Sequence, residues 1–217
     1  MPSFFMELVE RTDEARRAFE TNSKVLDIVA RGLSIERYRH FLLELYHVVW
    51  NFNPVCAAAA SRLSDRHQKI RYFLYEHMQE EKGHETWVLN DLEVVGVSAV
   101  TARDYRPSLA ILGMNGYNYW AADRRHPCSA VGMVYALEVV ASVYGGPLAS
   151  AISESLLLQD DRGISFISSH ATMDAEHMAE LRLILNQVAD DDEHARDAIV
   201  ESTIFNFHQF GRVLEAV

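Results

Sequence analysis

Residues 130–144 read AVGMVYALEVVASVY, a run that carries one charge, Glu138. Its apolar residues fall on every side of a helical turn, and a helix of that kind is buried nearly all round. An ionised carboxylate buried without partners costs on the order of several kcal/mol. Glu138 must therefore protonate, pair or bind a cation. No Lys or Arg stands within a turn or two of it in the chain. A cation shared with other donors is the simplest partner, and a neutral buried Glu is the alternative.

On either side of this run, Pro and Gly punctuation is sparse and the segments between marks have helical period. The pattern predicts helices over 4–19, 22–30 and 36–60, the third capped by Ser34 and bent at Pro54. A further helix is expected from a cap at Asp65 through His84 to about Val95, followed by a loop at 96–107. Helices then fit 108–122, 127–144, 148–159, 163–188 and 192–214, with Gly145-Gly146-Pro147 read as a break. Strand signals are absent. The expectation is an all-α antiparallel bundle of seven to nine helices, forming one domain over 1–217.

Composition narrows the partners. The formal charge of −11 repels phosphate backbones, and no basic stripe offsets it, so nucleic acid binding is not expected. The first residues lack a basic segment ahead of an apolar one. No run is long and clean enough to predict a membrane span; 129–146 comes nearest but contains Glu138. Cys56 and Cys128 make no disulfide framework, which fits a cytoplasmic protein.

Two segments share a ligand-like pattern. His77-x3-Glu81-x2-His84 and His170-x3-Asp174-x2-His177 both place imidazole, carboxylate and imidazole at i, i+4 and i+7. On a helix these positions fall within about 60° of one face. Imidazole nitrogen and carboxylate oxygen suit iron, manganese or zinc. One such face arises by chance in a His-rich acidic chain. Two with the same spacing, together with a buried Glu138, point to a shared metal centre. Glu44 and His47 also stand three apart, but they read as core-facing or outer groups rather than ligands, because the ferritin-like set of Glu and Glu-x-x-His is only half present.

At these residues the chain resembles the haem-oxygenase-like group that contains the TenA and PqqC proteins, and within it the iron-dependent oxidases and oxygenases. Residues 77–96, HMQEEKGHETWVLNDLEVVG, look like that group's Glu-Glu-x-x-His…Asp-Leu-x-x-Leu-Gly helix. ALEVVASVYGG supplies the midchain Glu, and 170–177 the closing triad. The resemblance covers most of the chain. It implies a haem-oxygenase-like fold and a metal set of Glu81, His84, Glu138, His170, Asp174 and His177. One departure is His77, where several metal-binding members have a carboxylate. Either Glu81 takes that role or His77 ligates directly.

The resulting expectation is a non-haem di-iron enzyme, with manganese as the other metal that shares these donors. It would use O2 on a small organic acid, amine or fatty acyl group, with Glu81, Glu138 and Asp174 at the reacting metals. Tyr135, one turn before Glu138, is either a proton or electron donor or a packing residue. The resemblance also disfavours haem, since haem oxygenases use a proximal His in the first helix and this chain has no His before His40. The alternatives are a metal-free TenA-type hydrolase with Cys128 as nucleophile, its pKa lowered at a helix start, and a non-catalytic binding protein. The fold group often dimerises, which makes a homodimer one candidate assembly and leaves the oligomeric state open.

Overall fold

The run at 130–144 forms the middle of a 28-residue helix, Ser129–Leu156, around which the rest of the chain is arranged. The computed structural model describes residues 3–188 and 191–217, and the backbone but not the side chains of 172–176. In chain order the helices are α1 (Phe4–Glu20), α2 (Ser23–Arg31), α3 (Ile35–Ala60), α4 (Gln68–Glu80), α5 (His84–Val94), α6 (Ala99–Asp104), α7 (Leu109–Trp120), α8 (Ser129–Leu156), α9 (Ser165–Leu185) and α10 (Glu193–Ala216). No strand occurs among the described residues.

α8 is the core element. It packs mainly against α9 and α10, and also against α2 and α3. The crossing with α10 is close because residue 132 is Gly: a Cβ there would lie 2.2 Å from the Ile199 carbonyl oxygen. The Thr203 hydroxyl donates to the Gly132 carbonyl at 3.2 Å across the same crossing. By length and composition α8 could cross a membrane, at mean hydropathy 1.4, yet more than half of that window is buried inside the fold. It is a core helix.

Several expected boundaries hold. Asn22 and Ser34 accept backbone N–H groups at the starts of α2 and α3, and α3 continues through Pro54. Three do not. The stretch 65–95 is not one helix: Asp65–His67 is a 3-10 turn, α4 ends at Glu80, and α5 begins at His84. The chain turns at Gly83, whose φ of 96° is open to Gly at no steric cost. The 96–107 stretch contains a short helix, α6, capped by the Ser98 side chain.

The third concerns Gly145-Gly146-Pro147, which does not break the bundle's central helix. Pro147 removes one N–H, but Pro147 and Val143, whose carbonyl loses its partner, are both exposed, so water can serve that carbonyl. Gly145 is buried against Ala171 of α9, and this packing holds the helix in line.

Candidate metal centre

The break at Gly83 divides the first ligand triad between two helices. His77 belongs to the last turn of α4, Glu81 follows that helix, and His84 opens α5. The second triad lies within one helix, α9. α4 and α5 both pack against α9, and donors from the two segments meet in pairs. The expected single face for His77, Glu81 and His84 is therefore replaced by two helix ends that deliver their donors to two clusters.

The first cluster is His77, Glu138 and His177, with one donor atom of each within 4.8 Å of the others. Glu138 Oε1 lies 3.4 Å from His77 Nε2, and Oε2 lies 3.2 Å from His177 Nδ1. The His77 and His177 rings are 5.1 Å apart. Phe73 stacks on His77 at 5.4 Å and Phe52 lies 5.6 Å away, so apolar rings wall the imidazole in.

The second cluster is Glu81, His84 and His170, also with donors within 4.8 Å. Glu81 Oε2 is 2.8 Å from His84 Nδ1 and 3.7 Å from His170 Nε2. The Trp87 ring stacks on His84 at 4.0 Å. His170 Nδ1 bonds the Phe166 carbonyl at 2.8 Å, which fixes the ring and leaves Nε2 turned to the cluster. α9 is itself positioned by buried Asp91, which accepts the Ser165 and Phe166 backbone N–H groups, each at 2.9 Å. The Tyr38 hydroxyl also donates to the Gly163 carbonyl just ahead of α9, at 2.6 Å.

Burial and charge compete at these groups. Burial pushes the Glu138 carboxyl upward, but the bond from His177 and the nearby His77 imidazole outweigh it and hold it below the usual range. Glu81 behaves alike: burial raises it, and His170 and His84 bring it well below normal. His177 is raised to about 9, chiefly by its bond to Glu138. For His170 burial lowers and Glu81 raises, with a net rise.

The donor set fits a cation. Both ring nitrogens of His77, a residue only 1% exposed, lack a hydrogen-bond partner, and so does Glu81 Oε1. Buried polar atoms are rarely left so. A divalent ion in each cluster would use these lone pairs and offset the negative charge of the acids.

Six of the seven expected ligands thus converge: His77, Glu81, His84, Glu138, His170 and His177. The seventh, Asp174, stands in α9 between His170 and His177, and its side chain lies outside the described residues. His77, at the position of the family's carboxylate, is a member of the first cluster. Glu44 and His47 are elsewhere. Glu44 accepts from the Tyr105 hydroxyl at 2.8 Å and the Ser108 amide at 3.0 Å, so it anchors the start of α7. Tyr135 packs edge-on against Phe5, which favours the packing role.

Cys128 is fully buried, and that burial pushes its thiol well above the usual range, opposite to the lowering expected from a helix start. Two contributors had not been singled out in the sequence. Asp91 had a signal in the Asp-Leu motif. Glu80 had only its place beside Glu81: its Oε2 lies 3.8 Å from His77 Nδ1 and 3.6 Å from His177 Nε2, the nitrogens turned away from Glu138.

Both clusters border one cavity of about 120 Å³, whose wall includes Glu81, Glu138 and His170 at one end. Its remaining lining is almost wholly apolar. Along α8 it touches Glu138, Ala141, Gly145 and Leu148, one helical face about 15 Å long at 1.5 Å per residue. Phe41, Leu45 and Phe52 of α3 and Phe166 of α9 close its sides.

The family model for iron-containing redox enzymes matches residues 39–204. Among solved structures, a domain of unknown function with a heme oxygenase-like fold from Shewanella denitrificans superposes with a TM-score of 0.84 at 24% identity, covering 98% of this chain and 90% of its own. A TenA homologue from Pseudomonas syringae pv. tomato gives 0.81 at 15% identity, covering 99% and 92%. Heme oxygenase-1 from Synechocystis, in complex with heme, gives 0.79 at 16% identity over the same shares. At these identities the likeness establishes the haem-oxygenase-like fold, as expected. No curated protein matches the chain in sequence.

Proposed function

The chain belongs to the family of iron-containing redox enzymes, and on that footing we propose that it is a non-haem oxidase or oxygenase that holds two iron ions and uses O2 on a substrate with an apolar chain. One observation carries the reading: each of two adjacent buried clusters offers two imidazoles and one carboxylate. That donor set, with coordination positions left open, is the one associated with O2-using ferrous sites. Manganese shares the donors, so a mixed iron–manganese pair is the variant form.

In this reading His77, Glu138 and His177 hold one ion, and Glu81, His84 and His170 the other. Asp174, on the same helix as His170 and His177, is proposed as a further carboxylate that would serve the ions. Bound ferrous iron supplies open positions and electrons for O2 chemistry. The protein's own groups do the rest. The imidazoles anchor through neutral nitrogens, so each must give up any second proton when the ion binds. His170 is held by the Phe166 carbonyl and cannot swing. The apolar cavity excludes water and orders the substrate's chain along α8, with a polar head, acid or amine, at the Glu81–Glu138 end. Among the substrates expected from sequence, the lining favours a fatty acyl group or another molecule with one polar end.

Reconstitution with ferrous iron under anaerobic conditions tests the reading. About two ions per chain and O2 consumption on exposure to acids and amines with apolar chains are expected. Iron content near zero in folded protein would overturn it. His177→Ala should lower the iron content with the helical spectrum unchanged. The Cys128 thiol is buried and does not border the cavity, which weighs against it as the nucleophile of the TenA-type alternative.

A further inference from the structure

A third group of metal donors lies at the starts of α4 and α8. His67, in the 3-10 turn before α4, His126, just after the π-helical turn 121–125, and Cys128, the residue before α8, each place one donor atom within 4.8 Å of the others. The site lies apart from the iron centre. His67 precedes His77 by ten residues and Cys128 precedes Glu138 by ten, so each helix separates the two places by about 15 Å at 1.5 Å per residue.

The donors are held in place. His67 Nε2 bonds Asp192 Oδ2 at 3.0 Å, while Asp192 Oδ1 accepts the Ala195 amide at 3.1 Å and so caps α10. Arg66 adds a contact of 3.1 Å to the same carboxylate. With Nε2–H given to Asp192, the lone pair of His67 is at Nδ1. This is the carboxylate–imidazole arrangement that orients metal-binding histidines. The His67 and His126 rings meet edge to face at 5.3 Å. His126 Nδ1 accepts the Cys128 amide at 3.2 Å, a long contact that ligation through that nitrogen would replace. His67 and Cys128 are buried and His126 is half-buried, so water can reach a fourth position.

We propose that His67, His126 and Cys128 form a separate binding site for a zinc-class divalent cation, oriented by Asp192 and completed by water. Two imidazoles and a thiolate are borderline-soft donors that select zinc over magnesium or calcium, and they differ from the all-nitrogen-and-oxygen iron centre. Binding exchanges the thiol proton of Cys128, released to solvent, for a metal–sulfur bond. The ion would cross-link the starts of α4, α8 and α10 at one end of the bundle and leave the cavity at the other end untouched.

Cobalt(II) is the probe, because its bond to thiolate gives an intense charge-transfer absorption that oxygen and nitrogen ligands do not. Full-length metal-free protein is titrated with cobalt(II) beyond three equivalents. The band is expected in the natural protein and in His177→Ala, which impairs only the other centre. It should also persist in Cys56→Ser and vanish in Cys128→Ser. Zinc should abolish the band by displacement. His126→Gln, a milder change, should weaken cobalt binding at this site at least tenfold with the far-ultraviolet spectrum unchanged, so the outcome does not depend on whether Cys128→Ser folds. Absence of a thiolate–cobalt band at saturation would overturn the proposal. So would a band that survives Cys128→Ser, since Cys56 would then be its source.

Discussion

Replacing Glu80 by Gln keeps the side chain's shape and removes its charge, which isolates one job. Glu80 Oε2 lies 3.8 Å from His77 Nδ1 and 3.6 Å from His177 Nε2. Those are the nitrogens left over when His77 Nε2 and His177 Nδ1 turn to Glu138. One carboxylate thus faces the outer N–H of both imidazoles in the first cluster and none in the second. Loss of such an orienting partner weakens metal binding by roughly 10–100-fold. Glu80 is 43% exposed at its side chain, and water screens it. The effect is therefore expected at the low end, about tenfold, or about 1.4 kcal/mol. A ferrous or manganous titration against a competing chelator should show two equivalents in the natural protein. In Glu80→Gln one equivalent should bind about tenfold more weakly and the other should be unchanged. Equal weakening of both, or no change in either, would refute the assignment of separate clusters with Glu80 serving one of them.

Other changes separate the roles further. Glu44→Gln removes the charged acceptor of Tyr105 and Ser108 at a fully buried position; it should cost about 1–3 kcal/mol and lower Tm by several degrees, with metal content unchanged. Ala141→Trp fills the cavity one turn from Glu138; iron content should stay at the natural value, while O2 uptake with apolar-chain substrates falls roughly tenfold or more. The stability of the metal-free protein should depend on pH in two limbs. His177 is raised from 6.5 to about 9, so its contribution is full below 6.5 and is lost as pH rises through 9. Glu81 and Glu138 are lowered from 4.5, so theirs is present above that value and lost as pH falls. Denaturant midpoints of metal-free protein should peak between those limits, and a midpoint still rising from pH 7 to 10 would contradict it.

Much of this centre is legible in the sequence because the signals are local. An acid inside 130–144 announces a buried charge whatever the fold, and α8 and the first cluster bear that out. A spacing of i, i+4 and i+7 marks a face on any helix, and α9 keeps it. Local pattern fails where tertiary contact decides. Gly83 reads as a tolerated glycine within a helix, yet it takes φ of 96° and splits the triad. Gly145-Gly146-Pro147 reads as a break, yet packing of Gly145 on Ala171 carries the helix through. Glu44 and His47 have ligand-like spacing, and only the fold reveals that Glu44 is spent on Tyr105 and Ser108. Cys128 sits at a helix start as expected, but burial outweighs the dipole there.

The repeated spacing has a geometric reason. His77 and His84 are seven apart, as are His170 and His177, and the rings that meet are 77 with 177 and 84 with 170. The residue numbers in each pair sum to 254, the mark of two antiparallel segments in fixed register. Equal spacing is then required: if one triad were a residue longer, the register that joins one pair would turn the other about 100° off the facing side. The turn at Gly83 does not disturb this register, since the ring pairs close to 5.1 and 4.9 Å on either side of it. What the turn changes is where the carboxylate goes. Glu81, released from α4, bonds His84 at 2.8 Å and leaves His77 to Glu138. Each cluster thereby receives two imidazoles and its own acid, and the cavity between α3, α8 and α9 meets both.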